Sequence, residues 1–183
     1  MTTASRRVAR RSIGLGLCAL SGALVLPACF KGGAKSADSD GHPLVGVSAP
    51  GFELPGPDGK KPVALSAYAG KVVIVDFWAT WCEPCRESFP AYQGLVQKFG
   101  GALVVIGVSV DEDPKGIPAF VSQTGVSFPI AWDEGQGVSK SYQPPSMPTS
   151  FIVDKSGIVR FVHVAYRSGD EREIEDQVRS LLK

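Results

Sequence analysis

Histidine is scarce in this chain of 183 residues, and cysteine is little better represented: two histidines and four cysteines are all it holds. A structural zinc site needs about four nitrogen or sulfur ligands. His42 and His163 stand far from the pair Cys82 and Cys85, and they flank no second cysteine pair. No metal and no other cofactor is therefore expected. The chain also lacks a convincing membrane span. Its leading apolar run, Ile13 to Leu26, is too short and too rich in small residues for a bilayer-crossing helix. A composition with 44% apolar residues suits one ordinary globular domain with an appendage.

Against these absences one stretch stands out, Val72 to Pro90, VVIVDFWATWCEPCRESFP. The apolar, β-branched run from Val72 to Phe77 predicts a fully buried strand. Phe89, Tyr92, Val96 and Phe99 then recur at intervals of three and four, which predicts a helix beginning at or near Cys82 with that stripe laid on a sheet. Two thiols thus sit at a strand-to-helix junction. Their spacing on the first helical turn brings the sulfurs within disulfide reach, and the helix N-terminus favours a thiolate at Cys82. Such a thiolate attacks a partner's disulfide, and Cys85 then attacks the mixed disulfide and releases the product. A purely structural disulfide is the weaker reading, because so short a loop stabilises little.

Phe77-Trp78-Ala79-Thr80-Trp81-Cys82-Glu83-Pro84-Cys85 resembles the thioredoxin-fold thiol–disulfide oxidoreductases, and most of all their membrane-tethered TlpA/ResA branch. The resemblance covers residues 44 to 183. It implies a thioredoxin-like α/β fold, a mixed central sheet flanked by helices, with an N-terminal β-hairpin and a central βα insertion. Asp76, six residues before Cys82, matches the buried aspartate that assists proton transfer to and from the deeper cysteine. Burial raises such a carboxyl towards the working pH, as a general base requires; the alternative is a carboxylate bonded to backbone or water. Pro148, directly before the strand Ser150 to Val153, matches the family's cis-proline facing the dithiol. In that role the Met147 backbone pairs with an incoming peptide as an added strand, and Trp81 belongs to the same substrate surface.

Between the cysteines, Pro84 suits an early helical position where its missing N–H is no loss. Glu83 opposes thiolate formation at Cys82 and tunes the pair towards the disulfide; a solvated helix-start acid is the equal alternative. Trp81 completes the residues expected to tune the redox pair. The family's glutamate three residues after the second cysteine is Ser88 here. Glu87, one residue earlier, is expected to face another way.

The front of the chain reads as an export signal. Arg6, Arg7, Arg10 and Arg11 precede the apolar run, which ends in Leu26-Pro27-Ala28-Cys29, similar to a bacterial lipobox. Residues 1–28 are then the signal, and 29–43 a flexible tether carrying a lipid on Cys29. An uncleaved signal anchor and a twin-arginine signal are the alternatives. Removing residues 1–28 takes four of the 19 basic residues and none of the 18 acidic ones. The remaining body carries three more acids than bases, which argues against nucleic-acid binding. Cleavage also removes Cys18 and lipidation occupies Cys29, so only Cys82 and Cys85 remain as thiols. His42 is expected to be a solvated linker residue.

Along the domain, Phe52 to Leu54 and Val63 to Leu65 predict the hairpin, and Ala102 to Val110 a second buried strand. Asp111-Glu112-Asp113 reads as a solvated acidic turn before a helix bearing Ile117, Phe120 and Val121. Phe128 to Ala131 with the short helix Gly137 to Tyr142 forms the inserted βα unit, and Trp132 is expected to pack. Ile158 to Val164 returns antiparallel to Ser150 to Val153. Ser168 and Glu171 are expected to box the start of the last helix.

The expected function is an extracytoplasmic, lipid-anchored thiol–disulfide oxidoreductase of the bacterial cell envelope. The resemblance implies that it reduces disulfides of exported proteins, for example in cytochrome c maturation, and is recharged by a membrane electron donor. A disulfide-forming or isomerising enzyme carries the same motif. A copper-handling protein of the Sco type expects three residues between its cysteines and a loop histidine. A peroxiredoxin-type peroxidase expects Pro and Thr where this chain has Val75 and Ala79.

Overall fold

The computed structural model describes residues 41–59 and 61–183. Residues 1–28, read above as an export signal, and Cys29 lie outside the described residues. The organising element is the strand β3, Val72–Trp78, all seven of whose residues are buried. It lies between β4 (Leu103–Ser109), which runs parallel to it, and β6 (Thr149–Val153), which runs antiparallel. With β5 (Ile130–Trp132) and β7 (Val159–Val164) the five-stranded order is β5-β4-β3-β6-β7. A strand paired on both edges and covered on both faces has no solvent side, which is why its sequence reads as a run rather than an alternation. The expected N-terminal hairpin is present as β1 (Glu53–Leu54) against β2 (Val63–Ala64).

Alternation along β3 sends Ile74, Asp76 and Trp78 to one face and Val73, Val75 and Phe77 to the other. Trp78 meets Phe89 of α1 (Glu83–Phe99) at 4.8 Å and Phe120 of α2 (Ile117–Thr124) at 4.5 Å between ring centroids. Phe77 meets Tyr142 of α3 (Gly137–Tyr142) and Phe151 of β6, at 5.0 and 5.7 Å. The helix α4 (Glu171–Leu182) runs beside α1, tied to it by the Lys98–Glu175 ion pair at 2.6 Å. Strand β5 and helix α3 supply the expected inserted βα unit. No helix among the described residues is long and apolar enough to cross a membrane.

Two local expectations are corrected. The last helix begins at Glu171 with Asp170 as its N-cap, not at Ser168. The Glu171 carboxylate reaches back to the Gly169 N–H at 2.8 Å and also accepts from the Tyr166 hydroxyl at 2.9 Å, so the box is closed by glutamate and tyrosine without the serine. His42 is not a solvated linker residue. Its ring sits edge-on to Phe151 at 5.0 Å, and its Nε2 lies 3.3 Å from the Gln143 carbonyl.

Candidate active site

Helix α1 starts where the sequence places it. Cys82 is the N-cap with extended backbone (φ −85°, ψ 103°), and Pro84 occupies the first turn. Cys82 and Cys85 are joined in a disulfide, with Cα atoms 5.4 Å apart. The two sulfurs are unequally placed: Cys82 is 4% exposed and Cys85 is fully buried. Cys85 begins the helix's buried face, which continues through Ser88, Phe89, Tyr92 and Leu95. Trp81, next to Cys82, is 71% exposed, a large apolar surface left in water beside the outer sulfur.

Pro148 sits at the same end of the sheet. Thr149 pairs with Phe77, so the preceding proline lies level with Trp78, where β3 hands over to the cysteine loop. The Met147–Pro148 peptide is cis, as the family pattern led us to expect. Pro148 is buried, Met147 half-buried, and the Pro148 carbonyl is held by the Ala165 N–H at 2.8 Å. Glu83 projects into solvent and pairs with Arg86 at 3.5 Å. Arg86 in turn bonds Gln123 at 2.8 Å and lies over the Phe120 ring at 4.7 Å. Glu87 is exposed, whereas Ser88 is buried with its hydroxyl donating to the Cys85 carbonyl at 3.3 Å.

Asp76, on the strand that leads into the cysteine loop, is fully buried on the face of β3 that α1 covers. Its Oδ1 accepts from the Ser150 hydroxyl at 2.6 Å, and its Oδ2 has no protein partner among the described residues. Desolvation pushes the carboxyl up to about 7, against the opposing pull of the serine. Opposite Asp76 on β4 is Gly107. A Cβ there would stand 2.9 Å from Ile130 Cδ1 and 3.0 Å from Trp78 Nε1, so glycine is what lets the indole pass.

Asp111 overturns the reading of a solvated acidic turn. It is 6% exposed, and its carboxylate gathers the Thr80 N–H (3.0 Å), the Thr80 hydroxyl (2.8 Å) and the Ser109 hydroxyl (2.8 Å). Its carbonyl accepts from Trp132 Nε1 at 2.8 Å. The loop that delivers Trp81 and Cys82 is thereby pinned to the end of β4. Glu112 and Asp113 are exposed as expected, and Asp113 accepts from the Lys115 N–H at the start of the following turn. His163 is buried and bonded to Gln177 at 2.7 Å, a satisfied core residue.

Sequence reasoning missed Ser150, Tyr92, Thr80 and Asp111 as members of this site. Ser150 carried a faint signal: it is a polar residue in a mostly apolar strand, on the face it shares with Asp76.

Comparison with known proteins agrees with this geometry. Residues 45–162 match the AhpC/TSA family. The thioredoxin-like protein YneN of Bacillus subtilis (strain 168) is 35% identical over 131 residues, 70% of this chain and 76% of the relative. The thiol-disulfide oxidoreductase ResA of Bacillus thuringiensis (strain Al Hakam) is 38% identical over 116 residues, 63% of this chain and 66% of its own length. Among solved structures, one from Chlorobium tepidum described as a thiol:disulfide interchange protein DsbE superposes with a TM-score of 0.72 at 36% identity, covering 76% of this chain and 98% of that one.

Proposed function

The chain belongs to the AhpC/TSA family and is a thiol–disulfide oxidoreductase of the ResA and DsbE type with a thioredoxin-like fold, and on that footing we propose that it reduces disulfides of exported proteins at the bacterial cell envelope. The observation that carries the reading is the asymmetry of the pair: a near-surface Cys82 at a helix N-cap beside exposed Trp81, over a fully buried Cys85. In the reduced chain the Cys82 thiolate attacks one sulfur of the partner's disulfide. That S–S bond breaks, a mixed disulfide forms, and the other partner sulfur departs as a thiolate. Cys85 gives its proton to Asp76, attacks Cys82 Sγ and expels the partner sulfur bound there as a thiolate. Two electrons have then passed to the partner, and the pair rests as the Cys82–Cys85 disulfide.

Met147 and Pro148 present the partner's backbone beside the sulfurs, and Trp81 gives it an apolar surface. Glu83 and Pro84 trim the potential. A lipid on Cys29 holds the domain at the membrane, where a membrane electron donor restores the dithiol, and apocytochromes c are a fitting partner class.

The equilibrium potential of the pair tests the direction, read by thiol alkylation in dithiothreitol or glutathione buffers. A value near or below about −250 mV supports a reductase, and one near about −120 mV makes the chain an oxidant and overturns the proposal. The tether is tested separately, since C29A releases the chain from the membrane fraction if the lipid holds it there.

A further inference from the structure

Three strands carry a row of opposed residues across the sheet. Asp76 of β3 faces Ser150 of β6, and Ser150 faces His163 of β7. Directly opposed residues share a face, so Asp76, Ser150 and His163 lie on the side that α1 and α4 cover. Onto the middle of that row comes Tyr92 of α1, whose hydroxyl is 2.7 Å from Ser150 Oγ. All three members of the chain are buried: Asp76, Ser150 and Tyr92 are at most 1% exposed.

The direction of the hydrogen bonds follows from counting protons. Ser150 has one hydroxyl proton, and at 2.6 Å it points at Asp76 Oδ1. The bond to Tyr92 must therefore be donated by the tyrosine. The order is Tyr92 O–H to Ser150 Oγ, then Ser150 O–H to Asp76 Oδ1. Both dipoles turn their positive ends towards the carboxylate, and each bond strengthens the next in so dry a setting. Of the two carboxylate oxygens, Oδ2 alone remains without a protein partner among the described residues.

We propose that Tyr92 and Ser150 are positioning residues for the redox reaction: they form a donor relay that holds Oδ1 of Asp76, fixes the carboxylate plane and leaves Oδ2 as the atom that takes the Cys85 proton. The inference rests on the reading of Asp76 as the base. Helix α1 is what joins the two halves. Cys85 and Tyr92 lie seven residues apart on its buried face, about two turns along one stripe. The helix that carries the resolving thiol therefore also carries the outer end of the relay. A shift of α1 that moves Cys85 is felt at Oδ1 through Tyr92 and Ser150.

The protonation cycle through this relay is simple. When Cys85 attacks Cys82 Sγ, its proton passes to Oδ2 and the ionised carboxylate becomes a neutral acid. Ser150 and Tyr92 keep their own protons throughout. Because the relay favours the charged form of Asp76, it opposes the desolvation that pushes that group up, and removing it makes the acid harder to ionise. The other titratable groups around the row are His163 on β7, held by Gln177 of α4, and Tyr166 and Asp170 ahead of α4, which bear on Tyr92. From α1 come the cysteines and, farther out beside Tyr166, Glu87. From β4 only Gly107 faces Asp76.

The test follows the Asp76 carboxyl carbon by NMR in the full chain with labelled aspartate and the disulfide formed, its resonance assigned by its loss in D76N. The expected midpoint in the wild type is about 7. S150A should raise it by about one pH unit, the worth of one hydrogen bond to a charged group. Y92F should raise it in the same direction by less, S150T should restore it, and H163Q should leave it in place. A midpoint unmoved in both S150A and Y92F overturns the relay, as does one displaced equally in S150T and S150A. Asp76 as base is judged by a different readout, the pH profile for release of a mixed disulfide by Cys85. If D76N keeps the wild-type step near pH 7, that reading fails, whatever the carbon shifts say about the relay.

Discussion

Asp111 and Asp76 are both buried, and they are built in opposite ways. Asp111 is surrounded by donors: the Thr80 N–H, the Thr80 hydroxyl and the Ser109 hydroxyl converge on its two oxygens. Asp76 has one donor, Ser150, and an oxygen with none among the described residues. A buried carboxylate with its lone pairs filled repays its desolvation through hydrogen bonds and acts as a clamp. A buried carboxylate left short of donors stays close to neutrality at working pH and so can exchange a proton. The first fixes the loop that presents Cys82, and the second lies under α1, where our proposal makes it the base.

The sharpest test of that contrast is how stability depends on pH. Asp76 titrates at about 7 in the folded chain against 3.8 for the free side chain. Between those values the unfolded chain has lost a proton that the folded chain still holds, so stability falls as pH rises and stays low above about 7. The whole loss amounts to about 4 kcal/mol, of which about 3 kcal/mol falls between pH 5 and pH 8. D76N should remove it, so urea melts across that window should find the variant gaining on the wild type with every step. A wild-type curve parallel to that of D76N would erase the distinction between the two acids.

Next in size is the clamp. D111A strands the Thr80 N–H and both hydroxyls and should cost about 3 kcal/mol in the same melts. A cost below about 1 kcal/mol would show that Asp111 does not clamp the loop. Smaller again is G107A, opposite Asp76, where a methyl meets Ile130 Cδ1 at 2.9 Å and Trp78 Nε1 at 3.0 Å. Overpacking there should cost about 2 kcal/mol in thermal or urea unfolding. The smallest effect is at the surface. Glu83 is 84% exposed and already paired with Arg86, so E83Q should move the potential of the pair by less than about 15 mV in dithiothreitol buffers.

Much of the architecture could be read from residue order. The run Val72 to Phe77 and the stripe Phe89, Tyr92, Val96 and Phe99 are local signals, and they located β3 and α1 to within a residue or two. The position of Pro148 came through family resemblance, since nothing in a Met-Pro pair alone distinguishes cis from trans. What stayed hidden depends on residues distant in sequence. Asp111 looked like surface charge because its donor Thr80 lies 31 positions away. Tyr92 passed for one more aromatic in a stripe, since periodicity reports which side chains face inward and not what their polar tips touch. Ser168 satisfied a pattern for helix initiation, but the turn before Glu171 had already found its partners in Asp170 and Tyr166.

The unequal burial of the tryptophans has an optical consequence. Trp78 is sealed in the core, Trp132 is half-buried with its indole N–H bound to a carbonyl, and Trp81 stands 71% exposed next to the disulfide. A collisional quencher such as iodide reaches Trp81 first, and a change at the neighbouring sulfurs alters the emission of that ring before the others. The core indole responds only when the sheet opens. One unlabelled chain thus offers two separable light signals, a red-shifted one that follows electron transfer and a blue-shifted one that follows folding.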